Sequence, residues 1–192
     1  AIAGAAVLGA AISIPVALLI FRLRGAYFAI GTWVMAEVFR LSFAQISALG
    51  GGSGSSLPVN IVKSIADSRS MRESVSYWMA LGSVVLVLAA VYLFLRSRRG
   101  LALTAIRDNE LAAASLGIDI WRTKFVVYVV TGGLTAMIGA LIFLQKLRIS
   151  PDAAFSVNDW TAFVIFIVVI GGIGTIEGPI IGTLVFFALR ET

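Results

Sequence analysis

The sequence predicts an all-α fold: a polytopic bundle of transmembrane helices with a short helix in one of its polar loops. Three observations predict it. Hydrophobic residues make up 59% of the 192-residue chain and charged residues only 13%, about half the charge of an ordinary soluble domain. Uncharged runs near the length of a bilayer crossing recur along the chain. The basic residues concentrate in one of the polar stretches between those runs.

The first run, residues 1–21, is uncharged and long enough to cross a hydrocarbon core at about 1.5 Å per residue. Pro15 lies inside it, which a membrane helix tolerates. Ala1, Ala5, Gly9 and Ser13 form a ladder of small residues suited to close helix packing. Arg22 and Arg24 close this span.

A second span is read over about 25–49. It contains Glu37 and Arg40, three residues apart and therefore on one helix face. Each charge alone would cost about 2.5–3.5 kcal/mol at mid-bilayer, so the two are expected to pair and to face protein or water. Gly50 to Ser56 is a flexible turn, and the polar residues up to Ser76 form a loop outside the bilayer.

The next span covers about 77–95, with Tyr77 and Trp78 at its interfacial end. A polar loop follows over 96–124, then a clear span over 125–144. Gly132, Ala136 and Ala140 give that span a second small-residue ladder. After a short connection containing Pro151 come two apolar segments, about 160–176 and 179–190, around a Gly-rich break. Periodicity leaves open whether these are two spans or one discontinuous helix. Gly174, Gly178 and Gly182 are expected to pack helix against helix, with Pro179 in the first turn of the last segment.

Residues 96–124 hold six basic residues, against three in 50–76 and two in 145–159. The positive-inside rule places 96–124 in the cytoplasm and the other two loops outside. The positive net charge is read as membrane topology, with no nucleic-acid partner. The chain opens and closes inside or just past apolar runs, and is expected to be one transmembrane domain, 1–192, incomplete at both ends.

Composition removes several chemistries. There is no cysteine and no histidine. Thiolate catalysis, cysteine-ligated metals, Ser-His-Asp hydrolysis and HExxH sites are therefore excluded. Gly51-Gly-Ser53-Gly54 matches the Gly-x-Ser-Gly of rhomboid proteases, but the serine lacks its usual base. The glycines at 172, 174 and 178 are spaced one residue too far apart for a dinucleotide loop. No phosphate-binding Gly-x-x-x-x-Gly-Lys-Ser/Thr loop is present. No metal site and no resident cofactor are expected, and the chain is not expected to be an enzyme.

The stretch Gly100 to Gly117 is rich in helix formers. On one continuous helix, Ile106, Glu110, Ala113 and Gly117 would share a shallow face. That face suits a groove on a partner, or belongs to an ordinary amphipathic loop helix.

Here a family resemblance enters. Arg107-Asp-Asn-Glu110, Ala112-Ala113 and Gly117 resemble the EAA-type coupling loop of ABC importer permeases. The closer likeness is to the permeases of branched-chain amino acid (LIV-type) transporters. Arg24-Gly25-Ala-Tyr27-Phe28-Ala29-Ile30 is similar to the start of a core helix in that family. Gly50 to Gly54 with Leu57-Pro58 is similar to its external turn, and Ile170 to Thr175 with Gly178-Pro179 and Gly182 to its late Gly-rich segment.

The resemblance implies a multi-pass subunit of the cytoplasmic (inner) membrane, working by alternating access. It implies cytoplasmic ATP-binding subunits, a second permease subunit (homo- or heterodimer) and an extracytoplasmic substrate-binding protein. It implies branched-chain or other small apolar amino acids, or small amides, as cargo, with ATP bound by the partner. Arg107, Glu110, Ala112, Ala113 and Gly117 would form the ATPase-coupling element. Ala113 and Gly117 would seat in a cleft, with Glu110 and Arg107 at its rim. The rival reading is an ion-coupled secondary transporter or channel. It needs intramembrane carboxylates or broken helices, and only Glu37 and Glu177 lie in or near the spans.

Overall fold

The computed structural model describes residues 2–23, 25–47, 50–56 and 69–191. Arg24, Leu57 and Pro58, which contribute to the family resemblance, lie outside the described residues, as does most of the polar loop before residue 69. The described chain is helical almost throughout. In order it forms α1 (Ile2–Ile20), α2 (Ala26–Gln45), a 3₁₀ turn (Gly51–Ser53), β1 (Ser55–Ser56), α3 (Arg69–Leu95), α4 (Arg98–Asp108), α5 (Glu110–Ser115) and α6 (Ile120–Lys146). It continues with β2 (Arg148–Ile149), α7 (Pro151–Phe155), a π-helical turn (Val157–Ala162), α8 (Phe163–Gly171) and α9 (Gly178–Glu191). The two-residue strands β1 and β2 pair with each other.

Among the described residues, four helical stretches are long and apolar enough to cross a membrane: Ile2–Ile20, Glu73–Leu95, Ile120–Lys146 and Pro151–Gly171. The last of these joins α7, the π turn and α8 into 21 residues. Residues 172–177 then leave the helix, and α9 follows over Gly178–Glu191. α2, which carries Glu37 and Arg40, is not among the four.

Contacts divide the chain into two units, 1–36 with 56–148, and 37–55 with 149–192. In the first unit α1 lies along α6, and the two small-residue ladders meet. A Cβ added at Gly9 would overlap that of Ala136 and stand 3.0 Å from the Gly132 carbonyl. One added at Gly132 would strike Ser13, and one at Gly133 would lie 3.0 Å from the Ala6 carbonyl. Backbone approach this close is how helices associate where lipid removes the hydrophobic driving force. Val16, Ala17 and Ile20 are buried at the end of α1, where Phe21 meets Tyr128 edge-on at 5.5 Å.

Few other apolar side chains are buried. Val84, Val85, Leu86 and Leu93 on α3 point outward, as do Leu8, Leu19 and Val130. In water that surface would be untenable; with hydrocarbon as solvent it is the expected exterior.

In the second unit α8 and α9 form a hairpin. Gly178 and Gly182 bring α9 against the backbone of Gly171 and Ile167, leaving no room for a Cβ at Gly171, Gly178 or Gly182. Phe186 fills the space beyond, at 5.3 Å from Phe163 and 6.0 Å from Phe166. Gly54 presses on Ile149 and Ser150, and its φ of +79° suits glycine. This holds the 51–54 turn against the start of α7.

Candidate functional site

Two groups of polar residues stand out, one in each unit. The first is the 96–124 loop. Ser97 caps α4 by accepting from the Gly100 amide at 3.4 Å. Gly100 lies so close to Leu95 that an added Cβ would meet its Cα at 2.5 Å. The chain therefore turns sharply out of α3 into α4.

The continuous helix considered over Gly100 to Gly117 is two helices. Asn109 adopts an extended backbone, φ −159° and ψ 111°, and ends α4. Its side chain accepts from the Ala112 amide at 3.0 Å and caps α5. Asparagine competes with the helix for the backbone in mid-helix and satisfies it at an N-cap, and Glu110 then sits favourably in the first turn. α5 ends at Leu116 and Gly117. Gly117 has φ +79°, and the Ile118 amide reaches back to the Ala113 carbonyl at 3.2 Å, a C-terminal arrangement that favours glycine. Asp119 at once caps α6 through the Arg122 amide, at 2.9 Å.

The break rearranges the predicted face. Ile106 and Ala113 are buried within the chain, Ala113 almost completely at 1% exposure. Nothing lies within 4 Å of a Cβ built at Gly117. Glu110 accepts a hydrogen bond from Lys124 on α6 at 2.9 Å. Arg107 is exposed and bonds its neighbour Asp108 at 3.3 Å, and Ala112 is exposed. Of the two residues expected to seat in a partner's cleft, Ala113 is covered by this chain and Gly117 is exposed. Ala113 faces inward as an anchor, and Gly117 serves the turn. The residues that point outward are Leu111 and Leu116, 82% and 79% exposed. Sequence spacing missed them because it assumed one uninterrupted helix. The Asn-Glu pair was the available signal for the break.

The second group surrounds Arg40. The structure brings Glu37 and Arg40 together: Arg40 Nε donates to both Glu37 oxygens at 3.0 Å, and Nη2 donates to Oε1 at 2.5 Å. A third member was not foreseen. Arg40 Nη1 donates to Oδ1 of Asp152 at 2.5 Å. Asp152 stands in the first turn of α7, after Pro151 and the Ser150 cap. It is 71% exposed, against 29% for the Arg40 side chain and 44% for that of Glu37. Phe43 stacks on Phe155 beside this cluster, at 6.1 Å, and on Phe39 at 6.3 Å. No spacing rule could have joined Arg40 to a residue 112 positions away.

At the Gly-rich break Gly178 and Gly182 pack as described, and Pro179 is the second residue of α9. Gly174 lies in the connection with φ +92°, and Gly171 joins Gly178 and Gly182 in the close contact. The turn is held by Thr175, whose hydroxyl accepts from the Gly178 amide at 3.0 Å.

Comparison with known proteins agrees with this architecture. The family described as branched-chain amino acid transport system, permease component, matches residues 1–192. The high-affinity branched-chain amino acid transport system permease protein LivM of Salmonella typhimurium is 29% identical over 194 residues, covering 90% of this chain and 45% of the relative. The probable branched-chain amino acid transport permease protein LivH of Methanocaldococcus jannaschii is 32% identical over 52% of this chain and 30% of its own length. The xylose transport system permease protein XylH of Escherichia coli K12 is 27% identical over 55% of this chain and 28% of its own. No solved structure gives a significant match. The chain spans less than half the length of the LivM relatives it matches. With four apolar helices able to cross a membrane and a family match over its full length, the chain belongs to the branched-chain amino acid transport system permease family.

Proposed function

We propose that this chain is the membrane core of one permease subunit of an ATP-driven importer. The cargo is a branched-chain or other small apolar amino acid, or a small amide, and the site is the cytoplasmic membrane. Support for the cargo comes from the LivM and LivH relatives.

The observation that carries the mechanism is the construction of α5. It is a short helix outside the spans, anchored inward by Ala113, tied to α6 by Glu110 and Lys124, and presenting Leu111 and Leu116 outward. Two large apolar side chains on a rigid short helix suit an apolar cleft on a partner protein. That partner is a cytoplasmic ATP-binding subunit, a reading supported by the match to a transport-system permease component. Movement of α5 during the ATPase cycle would pass through α6 to α1, because those two helices touch backbone to backbone. Tilting such a packed pair converts a small displacement into alternate opening of a cavity. A second permease subunit would complete the pathway, and an extracytoplasmic binding protein would deliver the cargo.

The test is reconstitution of the full-length protein with its ATP-binding and substrate-binding partners in liposomes. ATP-dependent uptake of leucine, isoleucine or valine that persists after ion gradients are collapsed is the expected result. Uptake that needs a gradient and ignores ATP would establish the ion-coupled alternative.

A further inference from the structure

The Arg40 cluster has no role in the coupling scheme, yet it is built with an asymmetry. Glu37 occupies the Nε–Nη2 edge of the guanidinium from within α2. That bond orients Arg40 and partly balances its charge. Asp152 contributes one oxygen to Nη1 from a different helix and is 71% exposed. A guanidinium can grip a second carboxylate through two parallel N–H donors, and Asp152 uses only one. α7, which carries Asp152, is five residues long and is followed one residue later by the π-helical turn over Val157–Ala162, an irregularity frequent at functional sites. Phe39, Phe43 and Phe155 provide half-buried apolar rings alongside.

Resting on the amino-acid import reading above, we propose that Arg40 is the carboxylate-binding residue of a substrate site, and that Asp152 is a built-in stand-in which the substrate's carboxylate displaces. The ligand class is a free α-amino acid with an apolar side chain. Its carboxylate takes the Nη1–Nη2 edge, and its side chain lies toward Phe43 and Phe155. Glu37 keeps Arg40 in place during the exchange. Asp152 returns when the site empties, so that the Nη1 donor of Arg40 is again satisfied.

The experiment is equilibrium binding of tritiated leucine to the full-length permease complex, purified with its ATPase subunits and without binding protein. Competitors are unlabelled leucine and leucinol, which lacks the carboxylate. Wild type should prefer leucine over leucinol by at least about tenfold, the scale of a hydrogen-bonded charge. Arg40→Gln should lose that preference and bind leucine at least about tenfold more weakly, with Arg40→Lys in between. Asp152→Asn removes the internal competitor and should bind leucine about threefold more tightly. Equal competition by leucine and leucinol in wild type, or no measurable leucine binding, overturns the proposal. Weaker leucine binding in Asp152→Asn, as in Arg40→Gln, marks the cluster as a structural clasp and overturns it too. ATP-driven leucine uptake by the same wild-type complex separates the two levels. Uptake without carboxylate preference removes only the role of Arg40, whereas absence of uptake removes the amino-acid reading beneath it.

Discussion

Lys124 Nζ donates to Glu110 Oε1 at 2.9 Å, joining the first residue of α5 to the second turn of α6. Both side chains are substantially exposed, so the pair adds little to folding. Its consequence is directional. It fixes where α5 points relative to the long helix that packs on α1. Glu110→Lys is therefore expected to leave insertion and expression intact while raising the ATP hydrolysed per substrate molecule transported. Exchanging the charges, Glu110→Lys with Lys124→Glu, should restore much of the wild-type ratio. Simultaneous measurement of phosphate release and uptake in liposomes checks this; an unchanged ratio in the single variant would remove the tie from the mechanism.

Leu111 and Leu116 are the exposed apolar side chains of the α5 segment. Leu111→Glu with Leu116→Glu should abolish co-purification of the ATPase subunit without reducing the amount of inserted permease. Ala113 is buried within the chain, so Ala113→Leu should act differently, lowering yield by overpacking at about 1–3 kcal/mol. Loss of the partner in Ala113→Leu with normal yield, and its retention in the double Leu variant, would return the docking face to the other side of the helix.

Gly117 has open space around it but a φ of +79°. Its replacement should cost about 1–2 kcal/mol, whatever the size of the new side chain, because L residues resist the left-handed region. Gly117→Ala and Gly117→Trp are thus predicted to lower thermal stability equally, and Gly117→Asn to be milder. A steep dependence on size would point to a tight cleft around this residue in the assembly.

Helix association in both units rests on glycine. Gly132→Leu should separate α1 from α6, and Gly178→Leu should open the α8–α9 hairpin, since in each a Cβ already meets the opposing chain. Both are expected to reduce folded protein recovered in mild detergent. Gly139→Leu on the same α6, with nothing within 4 Å, serves as the tolerated control. Fluorescence size-exclusion profiles distinguish them.

Sidedness follows from the basic loop. Gly52 accepts a Cβ without collision and Ser115 is exposed, so a cysteine at either should be reactive. With an impermeant maleimide, Gly52→Cys should label on intact cells and Ser115→Cys only after permeabilisation. Labelling of both from one side would invert or refold the topology.

The sequence by itself determined the solvent and the fold class. Near-absence of charge over runs such as 1–21 and 125–144 permits only structures that satisfy every backbone group internally, and that means helices here. The family was also legible, in the residues from Arg107 to Gly117 and in the late glycines. So was the Glu37–Arg40 pair, because i to i+3 adjacency is a local property of a helix. Local chemistry that competes with periodicity was harder to see. Asn109 splits what the helix formers around it would continue, because a side chain that caps one helix ends the last. That one break turned Ala113 inward and left Leu111 and Leu116 outside. The tertiary structure alone decided the remainder. It matched Gly9 with Ala136, put Gly171 opposite Gly178, and set Asp152 on Arg40 and Lys124 on Glu110. In lipid the apolar surface is nearly neutral toward rotation of a helix about its axis. Which faces meet is settled by close steric fit and a few polar bonds between distant positions, and a linear pattern does not encode that pairing.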